Sequence, residues 1–297
     1  MNRRTLAIMA ALGATAIYGV NHTIAKGVMP GHIQPMGFVL LRVIGATILF
    51  WAISFLAPRE RIEKKDWGRV LVCAICGMVI NMLAFFSGLE LSTPINSSVL
   101  VTTTPIIVVL LSAFLIQEKI YKLRALGIGI GLVGALILVL YGGELRQDAP
   151  NIPLGNLLFL LNATFYGLYL ILVKKLIGKY HPFTLLKWLF LIAIFINLPF
   201  GWSQFIAVEW TTLPWDAIWK LGFVVLGTTF CTYLFNAFAL TQLKASTVSA
   251  FVYVQPLIGI LYAVASGKDQ LTLLKVLAAC LVLLGVYLAS KRPKPGL

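Results

Sequence analysis

Carboxylates are scarce in this chain. Its 297 residues hold ten Asp and Glu against 24 Lys and Arg, and charged side chains of either sign make up only 11 %. The ten acids, Glu60, Glu63, Asp66, Glu90, Glu118, Glu144, Asp148, Glu209, Asp216 and Asp269, all fall between apolar runs or at their ends. There is no H-E-x-x-H, no G-x-S-x-G and no loop cluster of acids, which argues against a membrane-embedded lipid enzyme. Cysteine is equally sparse. Four residues cannot form a disulfide framework, and Cys73 and Cys76 make a C-x-x-C inside an apolar run with no second ligand pair, so they read as packing and not as a metal site. No metal and no cofactor is expected.

What the chain has is apolar length. Hydrophobic residues make up 60 % of it, mean hydropathy is +0.93, and a water-soluble globule with an apolar share near about one half is excluded. The net charge of +14 would point to nucleic acid in a soluble chain, but here the cations lie between apolar runs and form no basic face, so no nucleic-acid partner is expected. The expected partners are a lipid bilayer and a small-molecule substrate; no oligomeric state is specified by the composition.

A span of about 30 Å of hydrocarbon takes roughly 20 apolar residues. Runs of this kind are read at about 5–26, 35–57, 68–89, 94–116, 123–142, 154–176, 183–202, 217–240, 246–266 and 271–290. Lys and Arg gather in alternate loops, which places both termini in the cytoplasm for an even number of crossings. The start, MNRRTLAIMAALGATA, imitates a secretory signal, but apolar character continues past the apparent cleavage site and the run is read as an uncleaved first span.

Two of the runs carry the same defect. Pro105 follows Thr102, Thr103 and Thr104, and Pro256 follows Tyr253 and Gln255, 151 positions later. That offset also relates Leu89 to Leu240, Glu118 to Asp269 and Gly134 to Gly285, whereas in the first run of each half it is 148, relating Tyr18-Gly19 to Tyr166-Gly167 and Lys26 to Lys174. The chain therefore reads as two five-helix units: 1–142, an external linker 143–153, 154–290, and a basic cytoplasmic tail 291–297. An odd number of crossings per unit inserts the units in opposite orientation, the pattern of inverted repeats in secondary transporters. The expected fold is an all-α integral membrane protein of ten transmembrane helices in two inverted five-helix repeats.

Proline inside a spanning helix frees carbonyls, which are tolerated where they line protein or water. The helix-kink residues Pro105 and Pro256 thus nominate Thr102, Thr103, Thr104, Tyr253 and Gln255 as cavity candidates, the alternative being hydroxyls bonded to their own helix and a bend that aids packing. Polar groups at membrane depth add Tyr18, Asn21 and His22 in the first run, Asn81 in the third, Asn162, Tyr166 and Tyr169 in the sixth, and Thr232 and Asn236 in the eighth. For the amides the alternative is a hydrogen bond holding helices together. Arg42, a third of the way into the second run, is expected to pair or to contact an anionic group. With no carboxylate at mid-depth, a relay through a buried acid is unsupported, leaving His22, a water path or exchange, and a substrate bearing a carboxylate is easier to accommodate than a lone cation.

The YGVNHTIAK ending of the first run, the polar-Pro run closing on QEK, and the glycine-rich LGIGIGLVGALILV resemble the EamA family of the drug/metabolite transporter superfamily over essentially the whole chain. Tyr18 stands where the family commonly has Trp, and SGKD replaces a Gly-Glu ending in the second half. The resemblance implies a ten-helix carrier of the bacterial inner membrane, an exporter of amino acids and other small metabolites working by alternating access, with its cavity between the halves. A membrane scaffold or sensor without flux is the competing reading from another class.

Overall fold

The structure, a computed structural model, describes residues 2–56, 58–92, 94–141, 150–265 and 272–290. Asp269, most of the expected linker and the basic tail 291–297 lie outside the described residues. Among those described, every regular element is helical and none is a strand. In lipid the backbone has to satisfy its own polar groups, and a helix does so within one segment.

The elements are α1 (Arg3–Lys26), α2 (Pro35–Ile53), α3 (Trp67–Ala74), α4 (Asn81–Leu91), α5 (Pro94–Val101), α6 (Thr104–Ile116), α7 (Lys122–Tyr141), α8 (Ile152–Ile177), α9 (Pro182–Ile206), α10 (Trp215–Phe223), α11 (Thr232–Gln242), α12 (Ala245–Ala250), α13 (Val254–Ala265) and α14 (Leu273–Ser290). Two π-helical stretches, Ile75–Ile80 and Val224–Cys231, join α3 to α4 and α10 to α11 without a break. Among the described residues, six continuous stretches are long and apolar enough to cross a membrane: Arg3–Lys26, Pro35–Leu56, Lys64–Leu91, Ile152–Ile177, Pro182–Ile206 and Trp215–Gln242; shorter apolar helices accompany them. Large apolar side chains face outward, Phe114 at 85 % exposure and Leu273 at 76 %. Water would penalise such a surface and a bilayer does not.

Helix starts are set by local chemistry. The Asn2 side chain accepts from the Arg4 amide and Asn151 from the Leu154 amide, while Pro35 and Pro182 stand in first turns where no donor is lost. Two caps come from distant helices. Gln204, late in α9, accepts from the amides of Met36 and Gly37 at 2.8 and 3.0 Å, and Glu60, beyond α2, accepts from the amide of His181 at 2.8 Å. Each of α2 and α9 thus has its start held from the far end of the other.

The two prolines do not bend a continuous helix, as the sequence suggested; each opens a new one. Helix α5 ends at Val101, and α6 begins at Thr104 with Pro105 in its first turn. Helix α12 ends at Ala250, a 3-10 turn covers Phe251–Tyr253, and Pro256 lies in the first turn of α13. A proline lacks the donor that an interior position needs, and a first turn has no use for it.

Small residues let helices approach. A Cβ on Gly127 would stand 2.7 Å from the Ala289 amide nitrogen, one on Gly134 2.8 Å from the Ala278 carbonyl, and one on Gly285 would land on the Gly131 backbone, so α7 and α14 pack backbone to backbone. Glycines at such a seam let helices in lipid approach closely. Gly19 lies against Ile258 of α13 and Gly167 against Val108 of α6, bringing each broken helix onto α1 or α8.

Candidate functional site

A cavity of about 80 Å³ lies where α1, α2, α4, α8, α11 and the two broken helices converge. It is lined by Tyr18, Asn21, His22, Arg42, Asn81, Met82, Phe85, Phe86, Val101, Thr104, Asn162, Tyr166, Tyr233, Val252 and Gln255. Several of these are related by the offsets seen in the sequence: Val101 and Val252, Thr104 and Gln255, and Met82 and Tyr233 are 151 positions apart, and Tyr18 and Tyr166 are 148 apart. Both broken helices present their interruption to the cavity, through Val101 and Thr104 on one side and Val252 and Gln255 on the other.

Arg42 is the charged group of the site. It is 4 % exposed, donates from Nε to the Thr229 hydroxyl at 2.8 Å and from Nη2 to the Thr228 carbonyl at 3.2 Å, and stacks over the Phe86 ring at 4.6 Å. Among the described residues no carboxylate forms an ion pair with it. The carbonyl that it uses belongs to a π-helical stretch, where the wider turn diverts backbone acceptors from the i−4 ladder. The matching carbonyl 151 positions earlier, that of Gly77, accepts from the Tyr233 hydroxyl at 2.6 Å. Each π-helical stretch therefore anchors one cavity side chain from the other half of the chain.

Amides and hydroxyls complete the wall. Asn81 and Asn162 exchange hydrogen bonds, Asn162 Nδ2 to the Asn81 carbonyl at 3.0 Å and Asn81 Nδ2 to the Asn162 carbonyl at 3.4 Å, joining α4 to α8. The Nδ1 atom of His22 lies 3.1 Å from Ser97 Oγ, its ring meets Phe85 edge-on, and it is also hydrogen-bonded to Gln255. Tyr18 is hydrogen-bonded to Thr232. Asn21 is 4 % exposed, and among the described residues its Oδ1 has no hydrogen-bond partner.

Of the residues nominated from sequence, nine line the cavity: Tyr18, Asn21, His22, Arg42, Thr104, Asn81, Asn162, Tyr166 and Gln255. The other six stand behind or beside the wall. Thr103 donates to the Leu100 carbonyl at 2.6 Å, and Thr102 is buried in the same turn. Thr232 donates to the Thr228 carbonyl at 2.7 Å, and Asn236 donates to the Tyr166 hydroxyl at 3.0 Å, holding that ring from outside. Tyr169 packs between Tyr166 and Tyr233 and over Gly77, and Tyr253 packs on Gly131. Sequence reasoning passed over the apolar wall of Met82, Phe85, Phe86, Val101 and Val252, together with Tyr233.

The model of the EamA-like transporter family matches the chain twice, over residues 5–140 and 153–291. The chain belongs to that family. This EamA-like protein is 25 % identical to the uncharacterized transporter YoaV of Bacillus subtilis over 280 residues, covering 93 % of this chain and 94 % of that one. It is 27 % identical to an uncharacterized transporter of Archaeoglobus fulgidus over 270 residues, covering 88 % and 90 %. A crystal structure at 16 % identity superposes with a TM-score of 0.78, covering 98 % of this chain and 100 % of the other, which speaks to the fold alone. Membership in the EamA-like family supports a transport role for a multi-pass membrane protein, with a small molecule as cargo and lipid as surroundings, and points away from an enzyme.

Proposed function

We propose that the protein is a secondary carrier that exports small metabolites, of which amino acids are the kind its family resemblance implies. It works by alternating access across the bacterial inner membrane. In this reading, units 1–142 and 154–290 each cross five times, in opposite orientation, with both termini and the tail 291–297 in the cytoplasm and 143–153 outside. The observation that carries the reading is the lining of the cavity by offset-related residues of both halves. Two units with interchangeable conformations that meet at one polar site can expose it to either side in turn.

Further support comes from the matched pairs of broken helices and π-helical stretches, and from Lys26, which donates to the Leu89 carbonyl near the end of α4 as Lys174 does to the Leu240 carbonyl near the end of α11. The site residues serve as the substrate contacts: Arg42, Asn21, His22, Asn81 and Asn162 as polar partners, and Tyr18, Tyr166 and Phe86 as walls.

The test is counterflow in proteoliposomes loaded with anionic, zwitterionic and cationic metabolites. Saturable exchange of at least one solute, absent from protein-free liposomes, is expected. Absence of exchange for all of them would leave a scaffold or sensor as the better reading. Accessibility labelling of single cysteines in corresponding loops is expected to place the two units in opposite orientation, and labelling from the same side would remove the inverted arrangement.

A further inference from the structure

The shell of the cavity repeats between the halves, but its charge does not. Asn21 has as its counterpart, 148 positions on, Tyr169, and among the described residues the second half brings no Lys or Arg to the cavity, so the guanidinium comes from the first half alone. The guanidinium is a fixed positive charge, and among the described residues no carboxylate lines the cavity or pairs with Arg42. His22 can only add to that charge. Asn21 Oδ1, in a residue 4 % exposed on the same cavity, is an acceptor with no donor among the described residues. A buried charge and a buried unpartnered acceptor are both costly unless a ligand completes them.

We propose that the cavity takes a small organic acid as its monoanion, with the carboxylate on Arg42 and a hydroxyl donating to Asn21 Oδ1, in preference to a zwitterion or a cation. This rests on the carrier reading and narrows it. A carboxylate cancels the charge of Arg42 through charge-assisted hydrogen bonds from a planar donor group. The ammonium of an amino acid would sit a few bonds from that carboxylate, close to the guanidinium, among oxygens of amides and hydroxyls with no acid to balance it. A bound zwitterion therefore leaves the site with a net positive charge, and a bound hydroxy acid leaves it neutral. The volume of about 80 Å³ suits a compact solute, and the Phe85, Phe86 and Val101 walls suit a short apolar remainder.

Lactate and alanine share a carbon skeleton and differ in this one group, which makes them the probes. Counterflow by the full-length protein in proteoliposomes is measured for lactate, alanine and choline. Lactate is expected to exchange at least tenfold faster than either, and Arg42→Gln to lose lactate exchange at least tenfold. Asn21→Asp puts a carboxylate on the cavity that Arg42 lines, and the lactate-to-alanine ratio is expected to fall at least tenfold even if total flux drops. Lactate-dependent thermal stabilisation of the detergent-solubilised protein is expected for the wild type and absent from Arg42→Gln, which separates a lost contact from a misfolded variant. Exchange of alanine or choline as fast as lactate, or an unchanged ratio in Asn21→Asp, would overturn the proposal while leaving the carrier reading intact. No exchange of any of the three, in a preparation that also exchanges none of the wider metabolite panel, sinks both.

Discussion

The Lys26 ammonium, at the end of α1, donates to the carbonyl of Leu89 in the last turn of α4 at 2.9 Å. Lys174, 148 positions on and near the end of α8, donates to the carbonyls of Leu240 and Leu243 where α11 ends. A cation on the unsatisfied carbonyls of a helix C-terminus satisfies acceptors and opposes the helix dipole. Each lysine thereby ties the first helix of its half to the end of a later one, immediately before the broken helix begins.

Replacing either lysine by methionine keeps the aliphatic stem and removes the donor. Each variant is expected to lose about 1 kcal/mol, read as a drop of a few degrees in the thermal midpoint of the solubilised protein. Exchange in liposomes is expected to slow in both, because the tie lies next to the hinge at Thr102–Thr103 or at Phe251–Tyr253. An unchanged midpoint and rate in both variants would make the contacts incidental.

Gly285 meets the Gly131 backbone with no room for a side chain. Gly285→Ala has to separate α7 from α14 and is expected to cost about 1–3 kcal/mol, as overpacking does. Gly129, with open space where a Cβ would go, is the control: Gly129→Ala is expected to leave the midpoint unchanged or to raise it slightly, since alanine favours helix. Equal effects at the two positions would contradict the packing described.

The reciprocal Asn81 and Asn162 bonds join α4 to α8 inside the cavity wall. Changing either to leucine removes one side-chain-to-carbonyl bond and leaves the other, so each single variant is expected to lose about 0.6–2 kcal/mol, the range for polar contacts between helices in lipid, and the double variant the sum of the two. A double variant that loses no more than either single one would contradict the two separate bonds.

Where the Lys64–Leu91 stretch begins, Lys179, beyond the end of α8, bridges Glu63 and Asp66, and Tyr180 also donates to Asp66. The Lys179 hydrogen bond, and then that of Lys65, hold the Glu63 carboxyl below its ordinary value, while Asp66 and then Glu63 raise the Lys179 ammonium. A depressed carboxyl contributes stability that is present above its unfolded pKa of about 4.3 and lost as pH falls through its folded value. A raised ammonium contributes stability present below about 10.4 and lost as pH rises through its folded value. Lys179→Met is therefore expected to lower the thermal midpoint by a constant amount between about pH 5 and 9, with the difference from wild type closing at lower pH. A difference that grows on acidification would refute the assignment.

Much of the architecture is legible without coordinates because lipid constrains a chain so severely. Apolar length alone marks the helices, and the spacing of Pro105 and Pro256 marks the two defective ones. Helix ends are less legible. The π-helical stretches carry no composition signal, and the capping of α2 by Gln204 joins residues far apart in the chain. Polar residue type at membrane depth found Arg42, Asn21, His22, Asn81 and Asn162. It could not separate Tyr166, which faces the cavity, from Tyr169, which packs behind it, because both are amphipathic rings on one helix and only its rotation distinguishes them.

By itself, then, the sequence determined the helical class, the family and the doubling of the chain, since these depend on composition and on periods along one dimension. Only the tertiary structure decided which groups share the cavity. The bonds of Arg42 to Thr228 and Thr229, the Phe86 face beneath the guanidinium and the Asn81–Asn162 exchange are relations between separate helices, and such relations are set by packing in three dimensions.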